Sequence, residues 1–208
     1  MKIAFIGIGN VGFAIADHLQ KKGHRIIVAN NDPDSESVKK AIQKNPGFTV
    51  KRVQEAVNES DIAFLATPFQ ANETALKGIV FGGKTLVDCT NPVGPGITHG
   101  LKSEKSGSEV VQEMAGDANV VKAFTIYGFE NFADRSFPKY DVKPVMLIAG
   151  NDNNAKAQVS GLLTEMGFVP KDTGALSQSL HLEHMTLLWV KMVRMGGNPN
   201  FAWAYLER

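Results

Sequence analysis

The stretch KIAFIGIGNVGFAIADHLQKKGHRIIVAN constrains the fold more than any other part of the chain. An unbroken apolar run over 2–6 leads straight into Gly7, Gly9 and Gly12, spaced G-x-G-x-x-G. A helical pattern over 11–22 follows, and then a second strand pattern over 25–29. In that strand–turn–helix–strand context the first glycine allows a tight turn and the second lets a pyrophosphate approach the backbone. The third lets helix and strand pack closely. The N–H groups around Asn10 and Val11 then point at phosphate from a helix N-terminus, whose dipole favours an anion. Gly7, Gly9, Asn10, Val11 and Gly12 are therefore read as a dinucleotide-binding loop.

The alternation continues along the chain. Strand patterns fall at 48–51, 62–66, 85–89, 120–124, 145–149 and, more briefly, 168–171. Several are apolar without alternation, which marks strands covered on both faces. Helical patterns lie between them at 35–44, 53–60, 72–80, 106–116 and 152–166, the last with Asn151 or Asp152 as its cap and Gly167 after its end. The expected fold is α/β, a doubly wound, mostly parallel sheet.

The tail differs. Residues 176–195 read as one long apolar helix stopped by Gly196-Gly197, and Pro199 is placed to open a final helix with FAWAYLER. Two helices cannot enclose a core of their own. The expected organisation is a dinucleotide-binding domain over 1–173 and a helical extension over 174–208, packed on the sheet or on another subunit. Two long loops, NPVGPGITHGLKSEKSGS and YGFENFADRSFPKYDVKP, have the length of functional or mobile segments.

Charge and cysteine content exclude several functions. Lys+Arg 22 against Asp+Glu 21 leaves a net charge of +1, with no basic excess for nucleic acid or an anionic membrane. No apolar run approaches the roughly 20 residues of a membrane span, and no leader-like segment opens the chain. The expected compartment is the cytoplasm. Cys89 is the single cysteine, so neither an internal disulfide nor a C-x-x-C zinc site can form, and it is expected to be an inert core thiol. His181 and His184 in HLEH share a helix face but have no third ligand, so no metal is expected.

Cofactor choice rests on VANNDPDSES, where the second strand ends. An NAD site places a carboxylate there for the ribose 2′-hydroxyl, whereas an NADP site places a cation or small polar donors. Asn30 and Asn31 can donate to a 2′-phosphate or a ribose oxygen alike. Asp32 would serve NAD if the strand ran longer, or would make a turn with Pro33. Composition leaves NADP and NAD both open.

Several segments together resemble the deazaflavin (coenzyme F-420)-dependent NADP reductases and the oxidoreductase domain of the metalloreductases that reduce ferric and cupric ions. They are GIGNVG, GHRIIVAN, DIAFLATP, LVDCTNP, VVKAFTIYG and FVPKDTGALSQSLHLE, in the family's order. The resemblance implies an NADP-binding Rossmann domain with a small helical C-terminal part, and a homodimer in many members. It also implies hydride transfer between NADP(H) and a flavin, deazaflavin or similar acceptor. Asn30 and Asn31 fall where the family surrounds the 2′-phosphate, without its arginine. Thr67 and Pro68 fall on a strand-end loop that crosses the cofactor, Asn91 and Pro92 on the next. Gly128 falls where the nicotinamide amide is held, and Thr125 stands where relatives often carry asparagine.

Hydride transfer between a nicotinamide and an isoalloxazine-like ring needs orientation and exclusion of water more than acid–base groups. No catalytic residue is therefore assigned. The acceptor, a small redox molecule, would use flat apolar surface, and Tyr127, Phe129, Phe132, Phe137, Tyr140 and Trp189 are the aromatic residues available for it or for the core. A binding module that senses NADP(H) without turnover is the alternative; an enzyme needs open space beside the nicotinamide, which a sensor can fill.

Overall fold

A computed structural model describes residues 1–208. Strand β1 (Lys2–Ile6) turns through Gly7 into helix α1 (Asn10–Lys21). There follow β2 (Arg25–Ala29), α2 (Glu36–Lys44), β3 (Thr49–Lys51), α3 (Val53–Glu59) and β4 (Ile62–Leu65). Next come α4 (Asn72–Leu76), β5 (Thr85–Asp88), a small hairpin of β6 (Val93–Gly94) and β7 (Thr98–His99), α5 (Gly107–Met114) and β8 (Asn119–Lys122). The last elements are α6 (Glu130–Ala133), β9 (Val145–Gly150), α7 (Asn153–Glu165), β10 (Val169–Asp172) and α8 (Ser179–Gly196).

Eight strands form one sheet in the order β10-β9-β8-β5-β4-β1-β2-β3. From β3 to β8 every neighbouring pair is parallel, β9 runs antiparallel to β8, and β10 is parallel to β9. This is the doubly wound, mostly parallel sheet that the alternation of patterns implies. The order reverses between β4 and β1, and in open α/β sheets a ligand crevice forms outside the carboxyl ends of the strands at such a reversal.

The unalternating strands are apolar because both faces are covered. Ile3 and Phe5 of β1 face the cluster shared with α1, α7 and α8, while Ala4 and Ile6 face the cluster under α3, α4 and α5. Phe5 and Phe64 stack across β1 and β4 with centroids 4.7 Å apart. Leu182, Leu187 and Trp189 of α8 are buried, and Leu182 and Trp189 join the first cluster; Leu188 stays 50% exposed. Asp152 caps α7 by accepting from Ala155 N–H at 2.7 Å, while Asn151 accepts from Leu176 N–H. Ser106 and Glu109 form a reciprocal capping box that starts α5.

Two local expectations are corrected. The pattern over 72–80 ends at Leu76, because Gly78 takes a left-handed φ of 74° and breaks the helix. No final helix follows Pro199. Instead Trp203 O accepts from Val145 N–H at 2.9 Å, and Trp203 N–H donates to the Tyr127 hydroxyl, which donates to Val145 O. Backbone groups committed to those long-range partners cannot close helical turns. Of the two long loops, one carries the β6–β7 hairpin and the other α6. Tyr127, Phe132 and Trp189 are buried in the core, so they offer no flat acceptor surface. No helix is long and apolar enough to cross a membrane.

Candidate functional site

The loop after β1 is shaped by contacts that leave no room for side chains at two of its glycines. Gly7 has φ 93°, and a Cβ there would lie 2.6 Å from the Ala66 carbonyl carbon, so the turn needs glycine for both conformation and space. A Cβ at Gly12 would collide with the Gly7 carbonyl oxygen. Gly9 is different. Its φ of −71° suits any residue, and a Cβ there would meet no atom within 4 Å. No side chain caps α1, and its first turn holds no acidic residue. The first N–H groups of α1 therefore face open space with the positive end of the helix dipole behind them.

Asn30, Thr67, Asn91 and Gly128 each lie just beyond a strand that runs parallel to β1 or to its parallel neighbours, so the topology collects them with Gly7 at one edge of the sheet. Asn30 is engaged at both ends of its amide: Nδ2 donates to Ser35 Oγ at 3.1 Å and Oδ1 accepts from Asp32 N–H at 2.9 Å. Asn31 Oδ1 accepts from Val53 N–H at 3.2 Å. Asp32 is exposed and makes the turn, accepting from Asp34 N–H at 3.1 Å. Pro68 is exposed beside Thr67, whose hydroxyl donates to Asn72 Oδ1 at 2.7 Å. Pro92 is buried, and Asn91 is half-buried with its Oδ1 toward Thr125 and Thr186.

Beneath these loops runs a buried polar ladder. Asn72 Nδ2 donates to Thr90 Oγ1, and the Thr90 hydroxyl donates to Asp88 Oδ1 at 2.7 Å. Asp88 Oδ2 accepts from Ser108 Oγ at 2.6 Å and from Lys122 Nζ at 3.2 Å. Lys122 Nζ also donates to Thr90 O and lies 3.2 Å from Glu183 Oε1. Glu183 accepts from Gly107 N–H and Ser108 N–H, an anion seated on the N-terminus of α5. His99 Nδ1 accepts from Leu101 and Ser103 N–H, so its proton lies on Nε2 and is donated to Glu183 at 2.8 Å. Burial alone would lower the Lys122 pKa, but the Asp88 and Glu183 carboxylates outweigh it and leave it raised. The ladder ties the ends of β4, β5 and β8 to α5 and α8.

None of Asp88, His99, Ser108, Lys122 and Glu183 stands out in the sequence as a site residue. The one local sign is a lysine inside the apolar run NVVKAF, where a solvated side chain has no place. His184 stacks on His99 with centroids 5.4 Å apart and pairs with Ser103 Oγ, while His181 is exposed. Cys89 is buried at the end of β5, and burial, then the Asp88 charge, push its thiol pKa well up.

Beside the loop lies an open groove of about 490 Å³. Ile8, Gly9, Asn10, Phe13, Phe129, Lys40 and Lys44 are among the residues that line it, and Lys44 Nζ lies 5.2 Å from the Phe13 ring centroid. His18, also on its wall, accepts from Arg135 at 3.1 Å through Nδ1, and its Nε2 is buried without a partner. Burial, then the Arg135 charge, lower the His18 pKa to about 4.

Residues 2–92 match the family described as NADP oxidoreductase, coenzyme F420-dependent. Metalloreductase STEAP3 of Rattus norvegicus is 28% identical across 89% of this chain and 36% of its own length. Ketol-acid reductoisomerase (NADP(+)) of Clostridioides difficile is 35% identical across 41% of this chain and 26% of its own length. The chain thus spans about a third of the metalloreductase it matches. Among solved structures, a proposed F420-dependent NADP-reductase from Arthrobacter sp. FB24 superposes with a TM-score of 0.85 at 23% identity, covering 100% of both chains. A reductive aminase from Aspergillus terreus in complex with NADPH4 gives 0.65 at 19% identity, covering 94% of this chain and 62% of that one. The resemblance to the F420-dependent NADP oxidoreductases and the metalloreductases is shown, and so is the Rossmann fold.

Proposed function

We propose that this relative of the F420-dependent NADP oxidoreductases passes a hydride between NADP(H) and a flavin, deazaflavin or similar planar redox acceptor. Residues 1–173 hold the dinucleotide, the extension over 174–208 closes its nicotinamide end, and the working form is a homodimer. The observation that carries the reading is Gly9. No contact within the protein requires a glycine there, while the space it leaves open lies against the uncapped N-terminus of α1. A pyrophosphate fits that space and accepts from the first N–H groups of the helix.

When bound, the nicotinamide supplies the hydride, and the protein's part is placement and exclusion of water. Asn30 and Asn31 serve the 2′-phosphate end. Thr67, Pro68, Asn91, Pro92 and Gly128 line the path toward the nicotinamide. An open groove lined by Phe13 and Phe129 runs beside the same loop and supports access of a planar acceptor to it; a sensor that binds NADP(H) without turnover is the alternative.

Two measurements test this. NADPH titrated against the protein gives the affinity, and loss of NADPH absorbance with flavins, a deazaflavin, quinones and ferric chelates gives the turnover. Binding with turnover of at least one planar acceptor is expected. Tight binding with none would replace the reductase by the sensor.

A further inference from the structure

Two threonines at the nicotinamide end are buried where valine would fill the same volume. Thr125 is 0% exposed and Thr186, on α8, is 6% exposed. Thr186 Oγ1 lies 2.6 Å from Thr125 O, its nearest acceptor, so its proton goes to that carbonyl. The Thr125 hydroxyl in turn donates to Asn91 Oδ1, with Thr186 Oγ1 also 3.2 Å from the same oxygen. Asn91 Nδ2 has no acceptor in the protein, and the residue is only half-buried.

A second observation points to the same place. Phe124, just before Thr125, has φ 55°, a left-handed conformation that strains a bulky L-residue. Such strain persists where the surroundings over-determine it. Here Phe124 is buried against Phe64 and Phe132, and the carbonyl that follows it is pinned by Thr186. The kink delivers the Thr125 hydroxyl to Asn91.

We infer that Thr186, acting through Thr125, is a positioning residue that holds the Asn91 carboxamide with its oxygen inward and its NH2 toward the crevice. That NH2 donates to an oxygen of the nicotinamide nucleoside half of the dinucleotide. Helix α8 thereby takes part in cofactor binding without touching the cofactor. The inference rests on the NADP(H) reading and deepens it.

The test is NADPH affinity, followed by nicotinamide fluorescence, for Thr186→Val, Thr186→Ser, Asn91→Ala and the Asn91→Ala/Thr186→Val double variant. Adenosine 2′,5′-bisphosphate, which lacks the nicotinamide half, is titrated in parallel and reports whether each variant keeps the rest of its site. Thr186→Val is expected to weaken NADPH about tenfold, the upper worth of one hydrogen bond. Thr186→Ser restores it, the bisphosphate binds all variants equally, and the double variant is no weaker than Asn91→Ala alone. Unchanged NADPH affinity in Thr186→Val overturns the inference, as do losses that multiply in the double variant. Should Thr186→Val lose the bisphosphate as well, Thr125→Val decides by the same criteria. A wild type that binds the bisphosphate but gains nothing from NADPH's nicotinamide half also overturns the inference. A wild type that binds neither ligand overturns the NADP(H) reading itself.

Discussion

Lys122 and Asp88 form a fully buried ion pair, Nζ to Oδ2 3.2 Å, with neither side chain exposed. Glu183 completes the group at 3.2 Å from the same ammonium. Both carboxylates also accept hydroxyl or backbone N–H donors, so the group is hydrogen-bonded throughout. Removing the cation would leave two buried carboxylates to repel each other. Lys122→Met is therefore expected to cost about 3–5 kcal/mol of stability, read by urea unfolding. A loss below about 1 kcal/mol would mean that the ammonium contributes nothing net.

The loop glycines separate fold from binding. Gly7→Ala puts a Cβ at φ 93° and 2.6 Å from the Ala66 carbonyl carbon, so it should lower stability by about 2–4 kcal/mol. The Cβ of Gly9→Val meets no atom within 4 Å, so stability should stay within about 0.5 kcal/mol of wild type. On the proposed reading the same change abolishes NADPH binding, since the branched side chain fills the approach to α1. Retained NADPH affinity in Gly9→Val would remove the loop from the site.

Local pattern made the parallel sheet legible because its period is local. Apolar runs such as IAFL, and Gly7, Gly9 and Gly12 at a turn, are recognisable within a few residues. The polar ladder is not legible in this way. Asp88, Lys122 and Glu183 meet only because β5, β8 and α8 do; Lys122 inside an apolar run is a local sign of a buried cation, but nothing local names its partners. The final segment fails for a related reason: Pro199 opens helices in general, but Trp203 is held by Tyr127 and Val145, far away in sequence. The four-residue α6 is too short to show a helical period at all.

His18 makes stability depend on pH in a window that can be stated. Its folded pKa of about 4 lies below the ordinary histidine value of about 6.5, chiefly through burial and then through Arg135. As pH falls through that interval the unfolded chain takes up a proton that the folded one refuses, so stability falls, and it is fully present above the window. His18→Gln can still accept from Arg135 but does not titrate. It should lose less melting temperature than wild type between pH about 7 and about 4.5. Parallel losses would show that His18 titrates normally in the folded protein.

Asp32 decides how well the strand end suits a 2′-phosphate. Its carboxylate is exposed and makes the turn with Asp34 N–H, a role that asparagine fills with the same oxygen. Asp32→Asn therefore removes one negative charge with the backbone unchanged. An exposed charge about 7 Å from a phosphate is worth roughly 0.6 kcal/mol in water, a factor of about three, and salt screens it. Asp32→Asn is expected to tighten NADPH about threefold at low ionic strength, with the gain shrinking as salt rises. NADH, which has no 2′-phosphate, should bind as before. If instead NADH weakens and NADPH does not tighten, Asp32 accepts from the ribose hydroxyls, and the site belongs to NAD.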